Sequence, residues 1–459
     1  MSYQTAVASM YALGHELADA PSHKFDLAHM RVLLGALDHP ETKFPAVLIA
    51  GTNGKGSTAA TLASILRASD LRAGLYTSPH LVRINERIRI NGDEISDDDF
   101  ALLHGVVART AERLVEEGEL PWHPSFFEML TAIAFEYFAQ NKLQMAVLEV
   151  GMGGRLDATN VVEPRVSVIT DISLDHQKFL GNTVAEIARE KAGIIRPGGV
   201  VVTLPQQPQA NDVIGNTILD LGAHAVSAVP YVPPVSPGSA ECLVRAAEPA
   251  AERRQNAGHG PVSRYPLQIM GTQILVQTPL VGRHQLRNVA LAIATADVLS
   301  HQGLPIAPQT IEQGIRQTHW PGRFQVIPAD HGEPEYIFDV AHNPAGAWAL
   351  RSALSTCYED RPMTFVFGAM RDKAIGEMAE ILFPLAERVI ATRADNPRSA
   401  TPAEIREAAA RTATDIEDAV DVPLALGRAR SLAGSHGIVV ITGSIYIVGE
   451  AMRALGVKV

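Results

Sequence analysis

The stretch Val47–Leu66, VLIAGTNGKGSTAATLASIL, constrains this chain more than any other. A β-branched apolar run enters a glycine-rich turn, Gly51-Thr52-Asn53-Gly54-Lys55-Gly56-Ser57, and a helical pattern follows. That order needs a buried strand and a helix packed back on its sheet, which commits the chain to an α/β fold with parallel strands. It is also the context of a phosphate-binding loop. Glycines let backbone N–H groups wrap an anion, Lys55 can neutralise β- and γ-phosphates, and Ser57 can offer its hydroxyl to Mg²⁺. The spacing departs from the usual loop, because the first glycine is closer and Gly56 separates lysine from serine. The plain alternative is a glycine-rich turn with a solvated lysine.

A chain of 459 residues exceeds one ordinary core, so two α/β units are expected. The first, over residues 1–321, reads as doubly wound. Its strands are predicted at Ala46–Ala50, Met145–Val150, Val166–Asp171 and Val200–Leu204, and its helices at Ser57–Ala68, Phe126–Gln140 and Val184–Ile194. Functional residues should collect at the carboxyl ends of these strands. The pattern weakens from about Gln206 to Pro279, and the Pro-, Ala- and Gly-rich piece at 229–265 reads as an exposed loop insertion. Helical periodicity returns at Gln285–His301 and Pro308–His319, before WPGRF breaks it. Residues 322–459 then alternate strands at Tyr336–Val340, Thr364–Phe367, Arg388–Thr392 and Ile438–Thr442 with helices, a smaller dinucleotide-fold-like unit.

A net charge of −11 gives no general basic field, so neither nucleic acid nor an anionic membrane is an expected partner, and an anionic ligand would need local cations or metal. No apolar run is long enough to span a bilayer, and the N-terminus lacks the basic and apolar regions of a secretion signal. The two cysteines, Cys242 and Cys357, stand in unrelated contexts, so no disulfide framework or zinc cluster is implied and a reducing, cytoplasmic setting is expected.

Other residues suggest chemistry less sharply. QMAVLEVGMGGRLDATN delivers Glu149 to a strand end, followed by a turn with Arg155 and Asp157, and a carboxylate there can hold a metal. VSVITDISLDH brings Asp171, Asp175 and His176 to the same sheet edge, where Glu149 and His176 could share an ion, although Mg²⁺ prefers oxygen ligands. An ordinary loop histidine is the alternative. Lys191 in IAREKAGII reads as a surface lysine paired with Glu186 or Glu190. Ser78 and Arg83 fall in a turn with no distinct chemistry. In DVAHNP, Asp339, His342 and Asn343 fit either a site or an Asx-type turn stopped by Pro344. The helix of GRHQLRNVALAIA leaves Asn288 undecided.

Taken in order, GTNGKGS, YTSPHL, SFFEMLT, EVGMGGRLDATN, the DH of ISLDH, REKAGI, HQLRN, PGRF and DVAHNP resemble the folate branch of the Mur ligase superfamily, the bifunctional dihydrofolate synthase/folylpolyglutamate synthases. The resemblance runs from about residue 20 to the C-terminus and is weakest across the insertion. It implies the Mur ligase architecture, a P-loop ATPase-type domain followed by a Rossmann-like one. By position, Gly54, Lys55, Gly56 and Ser57 match the ATP-phosphate loop, and Ser57, Ser78, Glu149 and His176 the magnesium ligands. Lys191 matches the lysine that this family carbamylates, able to approach a second Mg²⁺. Asn288, Arg323 and Asp339 match nucleotide contacts, with His342 assisting from the second domain. Ser125, Phe126, Phe127 and Glu128, together with Leu156, Asp157 and Ala158, match segments lining the pterin pocket.

The activity implied is ATP-dependent joining of L-glutamate to dihydropteroate, and to the γ-carboxylate of tetrahydrofolate-type substrates, through an acyl phosphate, by a monomeric cytoplasmic enzyme. The resemblance leaves open whether one or both reactions are catalysed. Two rivals share the phosphate loop: a peptidoglycan-type Mur ligase acting on a UDP-linked acid, and a P-loop nucleotide switch.

Overall fold

Five consecutive buried residues make Ala46–Ala50 the kind of strand that only a sheet covered on both faces accommodates. The computed structural model describes residues 1–14, 27–234, 241–243, 261–330, 332–358, 361–412 and 414–459. These form two compact units. The first comprises Met1–Val232, Gln268–Ile274 and Arg287–Gln317, and the second Pro233–Leu267, Leu275–Leu286 and Thr318–Val459.

The first unit contains β1 (Ala46–Ala50), β2 (Ala73–Tyr76), β3 (Ile88–Ile90), β4 (Asp93–Glu94), β5 (Met145–Glu149), β6 (Pro164–Ile169), β7 (Val200–Thr203) and β8 (His224–Ser227). They form one sheet in the order β4-β3-β2-β5-β1-β6-β7-β8. The run from β2 to β8 is parallel and the β2-β3-β4 edge antiparallel. The registers Ile49↔Glu149 and Ala50↔Ile169 bring the carboxyl ends of β5, β1 and β6 to one edge. Helices Phe126–Gln140, Asp97–Glu116 and Val184–Ala192 bury their apolar sides in its core, and helix Pro308–Arg316 packs on helix Lys55–Ala68.

Some boundaries differ from the sequence expectation for local reasons. Strand β6 stops at Ile169, although Thr170 N still donates to the Ala50 carbonyl at 2.8 Å, because Asp171 turns instead to the glycine-rich loop and bridges Asn53 in the antiparallel sense. Helix Lys55–Ala68 starts two residues early because Gly54 caps it at φ +90°. The sequence reading did not place β2–β4, β8 or helix Asp97–Glu116, although Ser96 caps that helix and three aspartates fill its first turn.

The second unit holds β12 (Gln325–Ile327), β13 (Glu335–Phe338), β14 (Met363–Phe367), β15 (Arg388–Ala391), β16 (Ile416–Asp418) and β17 (Ile438–Thr442), in the order β12-β13-β17-β14-β15-β16. All but β12 run parallel. Its core gathers Phe365, Phe367, Phe383, Met378 and Leu382.

The 229–265 segment needs correction. It opens with a 3₁₀ turn, Val229–Tyr231, and its far end enters a strand; 235–240 and 244–260 lie outside the described residues. Strands β9 (Glu241–Leu243), β10 (Val262–Ile269) and β11 (Thr272–Thr278) form a three-stranded sheet. The alternating burial of β10 is a period-two pattern that Pro266 obscured, and its two-residue turn places Met270 and Gly271 at positive φ, as tight hairpins require. The cysteine expectation is corrected too. Cys357 is buried and disulfide-bonded, and the helix carrying it packs on β9, the strand that contains Cys242. Among the described residues no helix is long and apolar enough to cross a membrane.

Candidate active site

Strand β1 delivers the Gly51–Ser57 loop to the carboxyl edge of the first sheet. Gly51 passes so close to β6 that an added Cβ would lie 1.8 Å from Thr170 Oγ1, and one on Gly54 would lie 2.1 Å from Asn288 Oδ1. Asn288 therefore touches the loop at its crest, and its carbonyl also accepts from Thr58 Oγ1 at 3.3 Å. Thr52 N and Asn53 N donate to the Asp171 carbonyl at 2.9 and 3.2 Å, tying the loop to the end of β6. Lys55 Nζ turns back to the Thr52 carbonyl at 3.3 Å, and Ser57 is buried in the first turn of the helix.

Lys191 overturns its plain reading as a surface lysine. It is 4% exposed, and its Nζ donates to the Gly51 carbonyl at 2.7 Å. The two proposed partners are engaged elsewhere: Glu186 caps its own helix from the Thr183 side, and Glu190 pairs with Arg155 at 3.0 Å. Burial, reinforced by the neighbouring Lys55 charge, pulls the Lys191 ammonium down to about 7. A substantial share of neutral amine is thus held directly beneath the phosphate loop.

Glu149 ends β5, is buried, and accepts from Ser78 N at 3.2 Å. His176 caps the short helix Gln177–Leu180 at φ +50°, with its Nε2 3.9 Å from Asp175 Oδ2. Among the described residues no three His, Cys, Asp or Glu side chains converge as a metal cluster. The set Ser57, Ser78, Glu149 and His176 contains only two such groups. Hydroxyl and carboxylate oxygens suit a hard cation such as Mg²⁺, and the imidazole suits it less. Arg83 pairs with Asp97 and lies over the Tyr3 ring.

The segments matched to a pterin pocket have firm local roles. Ser125 and Glu128 form a capping box, with Glu128 Oε2 accepting from Ser125 N at 2.8 Å and from its hydroxyl at 2.6 Å. Phe126 stacks on Tyr11 with ring centroids 5.8 Å apart, and the Arg87 guanidinium lies 5.4 Å from its centre. Phe127 packs near Tyr76. Asp157 accepts from Thr159 N and Met152 N, both at 3.0 Å, and burial pushes its carboxyl up. It organises its own loop, with Leu156 half-buried and Ala158 buried beside it.

Arg323, Asp339 and His342 belong to the second unit. Asp339 follows β13 and accepts from Phe324 N and Ala341 N, both at 2.9 Å; burial raises its carboxyl against the opposing effect of Arg323. His342 Nδ1 donates to the Val340 carbonyl at 2.9 Å. Asn343 caps helix Pro344–Cys357 through Gly346 N, so the Asx-type turn read from DVAHNP is real and coexists with the strand-end aspartate.

Sequence reasoning missed Arg287, Tyr11 and Arg87. Arg287 lies inside the HQLRN motif, but its bidentate partner, Asp171, is 116 residues away. Tyr11 and Arg87 reach Phe126 from separate segments, with no local spacing to announce it.

Known proteins resemble this chain in sequence and in fold. The Mur ligase, glutamate ligase domain family matches residues 322–445. The dihydrofolate synthase/folylpolyglutamate synthase of Bacillus subtilis (strain 168) is 34% identical over 434 residues, 94% of each chain. The folylpolyglutamate synthase of Mycobacterium tuberculosis complexed with ADP superposes with a TM-score of 0.83 at 30% identity, covering 99% of both chains. An FPGS complex with AMPPCP and folate gives a TM-score of 0.77 at 31% identity, covering 99% of this chain and all of the other. By sequence over nearly its full length and by fold, this chain belongs to the dihydrofolate synthase/folylpolyglutamate synthase family of Mur-type ligases.

Proposed function

We propose that this chain joins L-glutamate to dihydropteroate and to the γ-carboxylate of tetrahydrofolate-type substrates, using ATP to activate the carboxylate as an acyl phosphate. The observation that carries the reading is the single sheet edge where the phosphate loop, buried Glu149 and buried Lys191 meet. The relatives crystallised with ADP, or with AMPPCP and folate, support the substrate classes. A peptidoglycan-type ligase is not favoured, because the relatives are folate enzymes.

Amide formation from a carboxylate and an amine is unfavourable in water, so the carboxylate oxygen first takes the γ-phosphoryl group and ADP leaves. The glutamate nitrogen then attacks the acyl carbon, the carbon–oxygen bond to phosphate breaks, and the amine loses its proton. Loop N–H groups and Lys55 hold the phosphates with Asn288 beside the loop, and Arg323 and Asp339 are the further nucleotide contacts that the family resemblance implies. His342 is the assisting residue that the same resemblance implies. Ser57, Ser78, Glu149 and His176 would hold Mg²⁺, which when bound offsets charge on the transferring phosphoryl group. Lys191 is suited to carbamylation, since its amine is substantially neutral near pH 7 and a carboxylate there would replace its repulsion of Lys55 with attraction. Phe126 and Phe127, with the Ser125–Glu128 and Leu156–Ala158 segments, line the pterin side.

The test is phosphate release from ATP and Mg²⁺ with L-glutamate, run with dihydropteroate, with tetrahydrofolate and with neither, while weighing the products. Release with a one-glutamate mass gain on both acceptors is expected. Release without an acceptor, or none at all, contradicts the reading.

A further inference from the structure

Helix Arg283–His301 sends two adjacent side chains to the phosphate loop by different routes. Asn288 abuts Gly54 directly. Arg287 reaches it through an intermediary. Its guanidinium forms a fork on Asp171, Nη2 to Oδ1 at 2.6 Å and Nε to Oδ2 at 3.2 Å, and Nη2 also donates to the Pro205 carbonyl at 3.0 Å. The Asp171 backbone carbonyl is the acceptor for Thr52 N and Asn53 N. The helix thus braces the loop at its entry through Arg287–Asp171, and at its crest through Asn288.

We infer that Arg287 is a positioning residue of the nucleotide site, fixing Thr52–Gly54 through Asp171 so that the loop N–H groups keep their phosphate-holding geometry. This rests on reading Gly51–Ser57 as the ATP-phosphate loop. Two physical points separate it from ordinary structural support. Both side chains are about one-third exposed, 31% for Arg287 and 36% for Asp171, and an ion pair so well solvated adds little to global stability. Its bidentate geometry and its link to the loop backbone give it local leverage instead. Removing Arg287 also leaves the Asp171 carboxylate without its partner beside a loop that must accept an anion, so the charge itself should repel phosphate.

The experiment measures Mg-AMPPCP affinity by calorimetry, with KM for ATP, KM for the folate acceptor, kcat and thermal unfolding, on wild type, Arg287→Ala, Arg287→Lys, Asp171→Asn, the Arg287→Ala/Asp171→Asn double variant, and Lys55→Ala. The expected result is roughly tenfold weaker nucleotide binding and a matching rise in KM for ATP in Arg287→Ala, with folate KM and melting temperature nearly unchanged. Arg287→Lys should recover part of the loss. The double variant should bind nucleotide better than Arg287→Ala alone, because the stranded charge is gone. Asp171→Asn truncates nothing and keeps the backbone acceptor, so it provides a reading even if Arg287→Ala fails to fold: a modest rise in KM for ATP is expected, and no rise overturns the inference. Wild-type affinity in Arg287→Ala, an equal loss for nucleotide and folate tracking a collapse in melting temperature, or a double variant no better than the single one, each overturns it as well. Lys55→Ala separates this failure from the other: if the wild type does not bind Mg-AMPPCP, or Lys55→Ala binds it equally well, the phosphate-loop reading itself has failed.

Discussion

Lys191 is the residue at which environment most changes chemistry. An exposed lysine titrates near 10.5, whereas burial and the Lys55 charge bring this one to about 7. The folded state therefore prefers the neutral amine. Between about 7 and 10.5 the unfolded chain holds more protons, so the Lys191 contribution to stability improves as pH rises through that window. Below about 7 the lysine is charged in both states and its penalty is complete, on the order of a few kcal/mol. Lys191→Met should accordingly gain stability relative to wild type at pH 6.5 and lose that advantage by pH 10, as denaturant melts at both pH values would register. If the amine is carbamylated, ¹³C-bicarbonate should give a carbamate resonance in wild type that Lys191→Met lacks. Parallel pH profiles for the two proteins would refute the buried-ammonium account. None of this was legible from spacing, because REKAGI reads as the end of a helix of mixed polarity with a surface lysine, and only the fold brings the Gly51 carbonyl to it.

Among the elements, those whose signals are local were readable, and those fixed by tertiary contact were not. Strands β1 and β17 and helix Phe126–Gln140 have the bounds that their sequence pattern predicts, since apolar runs and caps are written within them. β2–β4 are too short to show a period, and the alternation of β10 is masked by Pro266. The capping box at Ser125 and Glu128 has a local signal in SFFE that the sequence analysis did not use. Ser125→Ala should cost about 1 kcal/mol in a urea melt. If the segment also lines the acceptor pocket, folate KM should move while ATP KM stays; an unchanged melt and unchanged kinetics would contradict both roles. Helix Pro308–Arg316 meets helix Lys55–Ala68 at Gly314, where an added Cβ would come within 2.4 Å of Ile65 Cα. Backbone cannot step aside as a flexible side chain can, so Gly314→Ala should destabilise the protein by about 1–3 kcal/mol and weaken nucleotide binding through the displaced helix. Wild-type stability in that variant would show that the pair tolerates separation.

For the whole molecule, sequence order carried the family and topology carried the site. The phosphate loop, Glu149 and His176 are scattered over more than a hundred residues, yet the parallel order β5-β1-β6 predicts that their strand ends face one edge. Arg287 and Asp171 could not be paired that way, because nothing in one sequence says which strand end a distant helix will brace. The central claim is that this edge activates a carboxylate by phosphoryl transfer so that glutamate can take it. Dihydropteroate labelled with ¹⁸O in its carboxylate, incubated with ATP, Mg²⁺ and L-glutamate, tests it most directly. The account predicts a product heavier by one glutamate and released phosphate carrying one labelled oxygen. Label found in AMP, or a glutamate adduct formed with no label in phosphate, would contradict it.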